Sequence, residues 1–293
     1  MSWMPRTIYG VLMNHESEWQ ALGEAVNADP YKKAPKEPVL YIKTANTVSR
    51  SGDVVHLVEG VDSLQAWAGL ALRFKKTLAQ HKPDAQPAIQ TLAQLQDIAE
   101  LLLVCDWTAH TSAPNPYYRP AVRSKCADGW CALGEPVAIT QWPDALSVNV
   151  QVNGKAAQPV RLSEMRRDTT RLLHDITAFM SLREGDVLML GSAADRPVLR
   201  VGDRLSASGE GLGVIEQTVA QAMPATCQID PQPCPDEALN PLAPLKQPRS
   251  IFALGLNYAD HAKELAFKAP SEPLVFLKGE NALTGHDLSL IHI

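Results

Sequence analysis

A chain of 293 residues, 45% apolar and 20% charged with a net charge of −5, has material for sizeable cores and no basic excess to hold nucleic acid. It contains no apolar run of about 18 residues, and Met1–Arg6 lacks the apolar core of a signal peptide, so the expectation is a cytoplasmic protein with no membrane segment. Among its five cysteines, Cys126 and Cys131 are spaced C-x4-C and Cys105, Cys227 and Cys234 stand alone; without histidines at zinc-site intervals they read as reduced thiols.

Thr7–Met13 alternates as a strand, and Glu16–Val26 carries Trp19, Leu22 and Val26 on one helical side. A Pro- and Lys-containing loop from Pro30 to Pro38 leads to a strand at Val39–Ile42. Pro87–Asp97 reads as helix, and Leu101–Cys105 as a buried strand with Asp106 just past its end, where it either caps a turn or serves a site. Leu146–Val152 alternates into Asn153-Gly154, a hairpin signal because both turn positions tolerate positive φ. A helix starts near Ser163, its predicted cap, with Leu172, Leu173, Ile176 and Phe179 as its apolar stripe, and it ends before Arg183-Glu184-Gly185-Asp186. The Gly185-Asp186 and Gly202-Asp203 turns introduce strands at Val187–Leu190 and Arg204–Ala207. Seven prolines between Gln221 and Pro248 exclude a strand or helix interior there, which marks a linker.

The chain also repeats itself. Ile8-Tyr9-Gly10-Val11-Leu12-Met13-Asn14 returns as Ile251-Phe252-Ala253-Leu254-Gly255-Leu256-Asn257, and Pro38–Lys43 with Asn46 returns as Pro273–Lys278 with Asn281. Copies this far apart are not solenoid units, whose period is about 20–50 residues; they indicate a duplicated domain. The reading is residues 1–220 as a first copy, 221–248 as linker, 249–287 as the start of a second copy, and 288–293 as a non-native tail.

Gly255-Leu256-Asn257-Tyr258-Ala259-Asp260-His261-Ala262-Lys263-Glu264 and Glu272–Lys278 resemble the opening of the fumarylacetoacetate hydrolase superfamily. Ser124-Lys125-Cys126-Ala127-Asp128-Gly129-Trp130 and the residues to Gly134 are similar to its central lysine motif, and the two Gly-Asp turns to its C-terminal ones. The resemblance implies an α+β, strand-rich fold, a mixed β-sandwich roll, here tandemly duplicated with an incomplete second copy. The duplication and the Tyr117-Tyr118-Arg119-Pro120 run narrow it to the branch that acts in 4-hydroxyphenylacetate catabolism. That implies a bifunctional lyase and isomerase: Mg²⁺-dependent decarboxylation of 5-oxopent-3-ene-1,2,5-tricarboxylate and isomerisation of 2-hydroxyhepta-2,4-diene-1,7-dioate.

Substrates of this class are 2-keto or 2-enol di- and tricarboxylates, whose carboxylate and keto oxygens chelate a hard cation that then serves as electron sink. The family resemblance implies a Glu-x-Glu pair and a later Asp as metal ligands, with His and Glu of the opening motif as acid and base. In the second copy these last two are His261 and Glu264, three apart so that Glu264 can orient the imidazole, and Lys278 is a candidate for binding a substrate carboxylate. In the first copy Asp106 and Lys125 match the third ligand and the lysine, and Lys125 is, like Lys278, a candidate for binding substrate. Trp67 and Gly69 stand where the two glutamates belong, and Glu18 and Ala21 where the His and Glu belong. The first copy is therefore expected to be a degenerate partner with Asp106 a vestigial ligand, and the principal ligands to be missing from this chain. His15 and His110 read as ordinary loop or core histidines, and Lys43 as the strand-end counterpart of Lys278. The full-length protein is expected to be a monomer with pseudo-dimeric repeats. Alternatives are an acylpyruvate- or fumarylpyruvate-type hydrolase, or a pseudo-domain without catalysis.

Overall fold

The computed structural model describes residues 3–28, 33–82, 84–110, 122–222, 250–255, 274–279 and 282. Its larger sheet runs in the order β2 (Val39–Lys43), β1 (Ile8–Leu12), β11 (Val187–Met189), β5 (Leu64–Phe74), β6 (Ala99–Ala109), β7 (Cys131–Leu133) and β3 (Val48–Ser49), with β12 (Val198–Leu199) also on β5. A second sheet runs β10 (Val160–Arg161), β8 (Ser147–Val152), β13 (Arg204–Gly209), β14 (Gly213–Ala220) and β4 (Val54–His56), with β9 (Lys155–Ala156) on β8. A separate hairpin pairs β15 (Ile251–Gly255) with β16 (Leu274–Lys278). The helices are short: α1 (Glu16–Leu22), α2 (Leu92–Ile98), α3 (Val122–Lys125) and α4 (Thr169–Thr177). None in the described residues is long and apolar enough to cross a membrane.

Strand alternation sends the two faces of the larger sheet to different cores. Leu64, Ala66, Leu70, Leu72 and Phe74 of β5, with Leu101, Leu103 and Trp107 of β6, bury against Val148, Val150, Leu205, Ala207 and Ile215 of the second sheet. Gln217 of the second sheet makes polar contacts across this interface, accepting from Trp107 Nε1 at 2.7 Å and donating to Ser49 Oγ at 3.1 Å. The opposite face carries Ala71, Leu102 and Val104 together with Ile8, Tyr41 and Trp67 of the same sheet, and Val26, Trp19 and Leu22 belong to the same apolar cluster. The odd-numbered side chains of β5 and the even-numbered ones of β6 thus share the second face, and the candidate site lies there.

Local chemistry accounts for the element ends. Thr91 and Gln94 form a reciprocal capping box at α2, so this helix starts at Leu92 and not at Pro87. Asn153 (φ 52°) and Gly154 (φ 76°) form the expected hairpin turn. Gly185 and Gly202 also take positive φ, and the Asp after each accepts a backbone N–H, Asp186 from Arg183 and Asp203 from Arg200, both at 2.8 Å.

Several expectations need correction. The first helix stops at Leu22 and continues as a 3₁₀ turn from Gly23 to Asn27. Ser163 caps nothing: it lies in a separate 3₁₀ turn, and Asp168 caps α4 by accepting the Arg171 N–H at 2.8 Å. Phe179 lies beyond that helix and is 48% exposed, so the buried stripe is Leu172, Leu173 and Ile176. Asp106 does not follow a strand but sits inside β6, directly opposite Trp67 of β5. The proline-rich segment and the 288–293 tail lie outside the described residues.

Candidate functional site

Four elements meet at Asp106. Tyr41 and Lys43, two apart on β2, reach the same side of that strand; Trp67 comes from β5, Asp106 and Thr108 from β6, and Lys125 from the end of α3. Gly10 on β1 pairs with Tyr41, and a Cβ there would lie 2.0 Å from the Tyr41 ring, so a glycine is what lets the ring lie across β1.

Both Asp106 oxygens are engaged. Oδ2 accepts from the Tyr41 hydroxyl at 2.5 Å and from Lys125 Nζ at 2.8 Å. Oδ1 lies 2.7 Å from Lys43 Nζ as an ion pair without hydrogen-bond alignment. Lys125 Nζ also donates to Thr108 Oγ1 at 2.7 Å and sits 3.5 Å from the Trp67 ring centroid and 4.5 Å from that of Tyr41. Lys43 Nζ donates to the carbonyls of Trp130, at 3.0 Å, and Lys125. A second ion pair flanks the first: Arg196 binds the buried Glu18, and its guanidinium lies 3.5 Å from the Trp67 centroid.

Burial sets the electrostatics. It would raise the Asp106 carboxyl, but Lys125 and Lys43 outweigh it and hold the group below the usual carboxylate range. Burial pushes Lys125 down to about 8 against the pull of Asp106. It also pushes the Tyr41 phenol well up, with the Asp106 charge acting in the same direction.

A divalent cation does not fit these residues. Hard cations need several oxygen ligands, and here the one carboxylate at the centre already faces two ammonium groups. Trp67 offers a ring, with its Nε1 buried and without a hydrogen-bond partner among the described residues. Position 69 cannot take a longer side chain without backbone movement, because a Cβ on Gly69 would lie 2.6 Å from the Gly191 carbonyl oxygen. Among the described residues no three His, Cys, Asp or Glu side chains converge.

The sequence put Asp106 and Lys125 forward separately, as a ligand and as a substrate-binding lysine; the structure instead commits Lys125 to Asp106 and Thr108 and adds Tyr41, Lys43 and Arg196, which the sequence had not singled out for this site. Lys43 is no mere strand end; the spacing of Tyr41 and Lys43 on one strand was a signal available in the sequence. Arg196 had none, since it is far from Trp67 and Glu18 along the chain. His15 is the N-cap of α1, with Nδ1 accepting from Ser17, and its Nε2 lies 3.6 Å from Glu164. Lys278 closes β16 opposite Ile251. His261 and Glu264 lie outside the described residues.

Residues 7–220 match the family described as fumarylacetoacetate (FAA) hydrolase C-terminal. Over 284 residues the chain is 35% identical to the 4-hydroxyphenylacetate degradation bifunctional isomerase/decarboxylase of Escherichia coli, with 96% of this chain and 60% of that protein covered. The chain therefore spans about 60% of the length of that relative. In fold it is similar to a 5-carboxymethyl-2-hydroxymuconate delta-isomerase from Mycobacterium smegmatis, with TM-score 0.60 and 20% identity over 76% of this chain and 81% of that one. It is similar also to a fumarylpyruvate hydrolase from Pseudomonas aeruginosa solved with Mn²⁺ and pyruvate, with TM-score 0.61 and 17% identity over 75% of this chain and 92% of that one.

Proposed function

This chain belongs to the fumarylacetoacetate hydrolase family, and on that premise we propose that it is part of a bifunctional decarboxylase and isomerase whose first repeat is the non-catalytic partner of a second. The substrates of the whole protein are 5-oxopent-3-ene-1,2,5-tricarboxylate and 2-hydroxyhepta-2,4-diene-1,7-dioate, the reaction depends on Mg²⁺, and the protein works in the cytoplasm. The kinship to the Escherichia coli isomerase/decarboxylase supports the reaction class.

The observation that carries the division of roles is the closed state of Asp106. Loss of CO₂ from a carbon β to a ketone, or a proton shift through a dienol, needs an electron sink beside the keto oxygen. The one carboxylate of the first repeat is held by Lys125, Lys43 and Tyr41, and the Trp67 ring fills the space beside them.

The second repeat is then the place for chemistry, and the hairpins support its existence. Ile8 pairs with Lys43 and Leu12 with Val39; Ile251 pairs with Lys278 and Gly255 with Leu274, in the same register at every position between. Within this repeat His261 moves the proton with Glu264 orienting its ring, and Lys278 holds a substrate carboxylate. Phe276 replaces Tyr41, so no phenol is available at that position to bond a carboxylate.

Ultraviolet absorbance of the tricarboxylate provides the test. Residues 1–293 should show no Mg²⁺-dependent loss of it, whereas a longer chain with the region that its relatives possess should, and His261→Ala in that chain should lower turnover by roughly 10²–10⁴. Mg²⁺-dependent decarboxylation by residues 1–293 would move the active site to the Asp106 region and end this reading.

A further inference from the structure

The surroundings of Lys125 are those of a cation-binding cage. Its ammonium has a carboxylate oxygen at 2.8 Å, a hydroxyl at 2.7 Å, and the Trp67 and Tyr41 ring centroids at 3.5 and 4.5 Å. Aromatic faces attract cations through their quadrupole, most strongly when water is excluded; Asp106 and Tyr41 are buried and Trp67 packs against the core. A buried ionised carboxylate with no counter-charge is strongly disfavoured, and here the neighbouring positive charges hold Asp106 in its charged form.

We infer that the first repeat carries its own cation: the Lys125 ammonium, seconded by Lys43, occupies the Asp106 site permanently and replaces a divalent metal in holding this face of the sheet together. The inference rests on the family reading of Asp106 as a former ligand position, but it concerns binding and stability, not turnover. Three features make the replacement complete. Trp67 supplies a π-face at one glutamate position, Gly69 leaves no room for a side chain at the other, and Lys43 neutralises the carboxylate oxygen that Lys125 does not reach. Arg196 lies against the same Trp67 ring and is itself neutralised by Glu18, so the cage is walled by a second ion pair.

Removing the Lys125 side chain beyond Cβ should leave a cage for a small organic cation. Lys125→Ala is expected to lower the unfolding midpoint by on the order of 10 °C. Propylammonium, which has the shape of the deleted fragment, should restore several degrees of that loss. Sodium chloride at equal ionic strength and Mg²⁺ should not, and none of the three should act comparably on the unsubstituted protein.

The unsubstituted chain gives a second readout that needs no variant to fold. Its midpoint should be the same in Mn²⁺ as in chelator, and any Mn²⁺ binding detected by calorimetry should persist in Asp106→Asn. Saturable Mn²⁺ binding or stabilisation that Asp106→Asn abolishes would overturn the inference, as would a folded Lys125→Ala as stable as the parent or indifferent to propylammonium. An active longer chain would leave each of these outcomes unchanged, so failure here is distinct from failure of the functional proposal.

Discussion

At the scale of single residues, the region around β5 and β6 is governed by where charge is buried. Asp106, Lys43 and Lys125 are each almost fully buried and mutually neutralised, which is how interior charges persist. His15 is buried by a different route. Ser17 N–H, at 3.2 Å, and the Ser17 hydroxyl, at 2.8 Å, both face its Nδ1, which assigns the proton to Nε2 on the Glu164 side. Burial holds this imidazole below the ordinary value of 6.5 despite Glu164. The folded protein therefore binds the proton later than the unfolded chain as pH falls. Stability contributed by His15 is present above about pH 6.5 and is lost as the pH drops below it toward the folded value. His15→Asn keeps a cap for α1 and should flatten the decline in thermal midpoint between about pH 7 and pH 5. An unchanged decline in that variant would place the acid sensitivity elsewhere.

Among the elements, the two hairpins differ in what covers them. β1 pairs with β2 on one edge and in parallel with β11 on the other, and its Tyr9 and Val11 are buried in the main core. Their counterparts Phe252 and Leu254 are 55% and 56% exposed, and β15 pairs only with β16 among the described residues. Exposed apolar positions on an unpaired edge mark low local stability. Amides of β15 should therefore exchange with solvent orders of magnitude faster than those of β1 in residues 1–293 and should gain protection in a longer chain. Equal protection of β1 and β15 in residues 1–293 would mean that something within this chain already covers the hairpin. Position 10 adds a local difference. Gly10 lets the Tyr41 ring lie across β1, while Ala253 faces Phe276, so the second hairpin cannot reproduce that ring position unchanged.

For the whole molecule, the proposed duplication has a consequence for assembly. Two similar domains in one chain can bury against each other the surface that separate copies would bury in a homodimer. The longer protein is expected to sediment as a monomer at micromolar concentration; an obligate dimer would show that the repeats do not form such a pair.

The sequence by itself determined the family, the strand-rich class, and the Asn153-Gly154 and Gly-Asp turns, because these rest on local backbone chemistry or on motifs that keep their order along the chain. It did not reveal β5, an eleven-residue strand whose Ala-Trp-Ala-Gly-Leu-Ala-Leu stretch lacks alternation because both faces are covered. Nor did it place Asp106 inside β6, since apolar content alone does not fix where a buried strand ends. Only the tertiary structure decided what Asp106 faces. Lys43, Trp67, Lys125 and Arg196 come from four separate segments, and their proximity follows from strand order and cross-strand register, which no short stretch of sequence encodes. The identity of a buried charge can be read from the chain, but the charge that neutralises it is chosen by the fold.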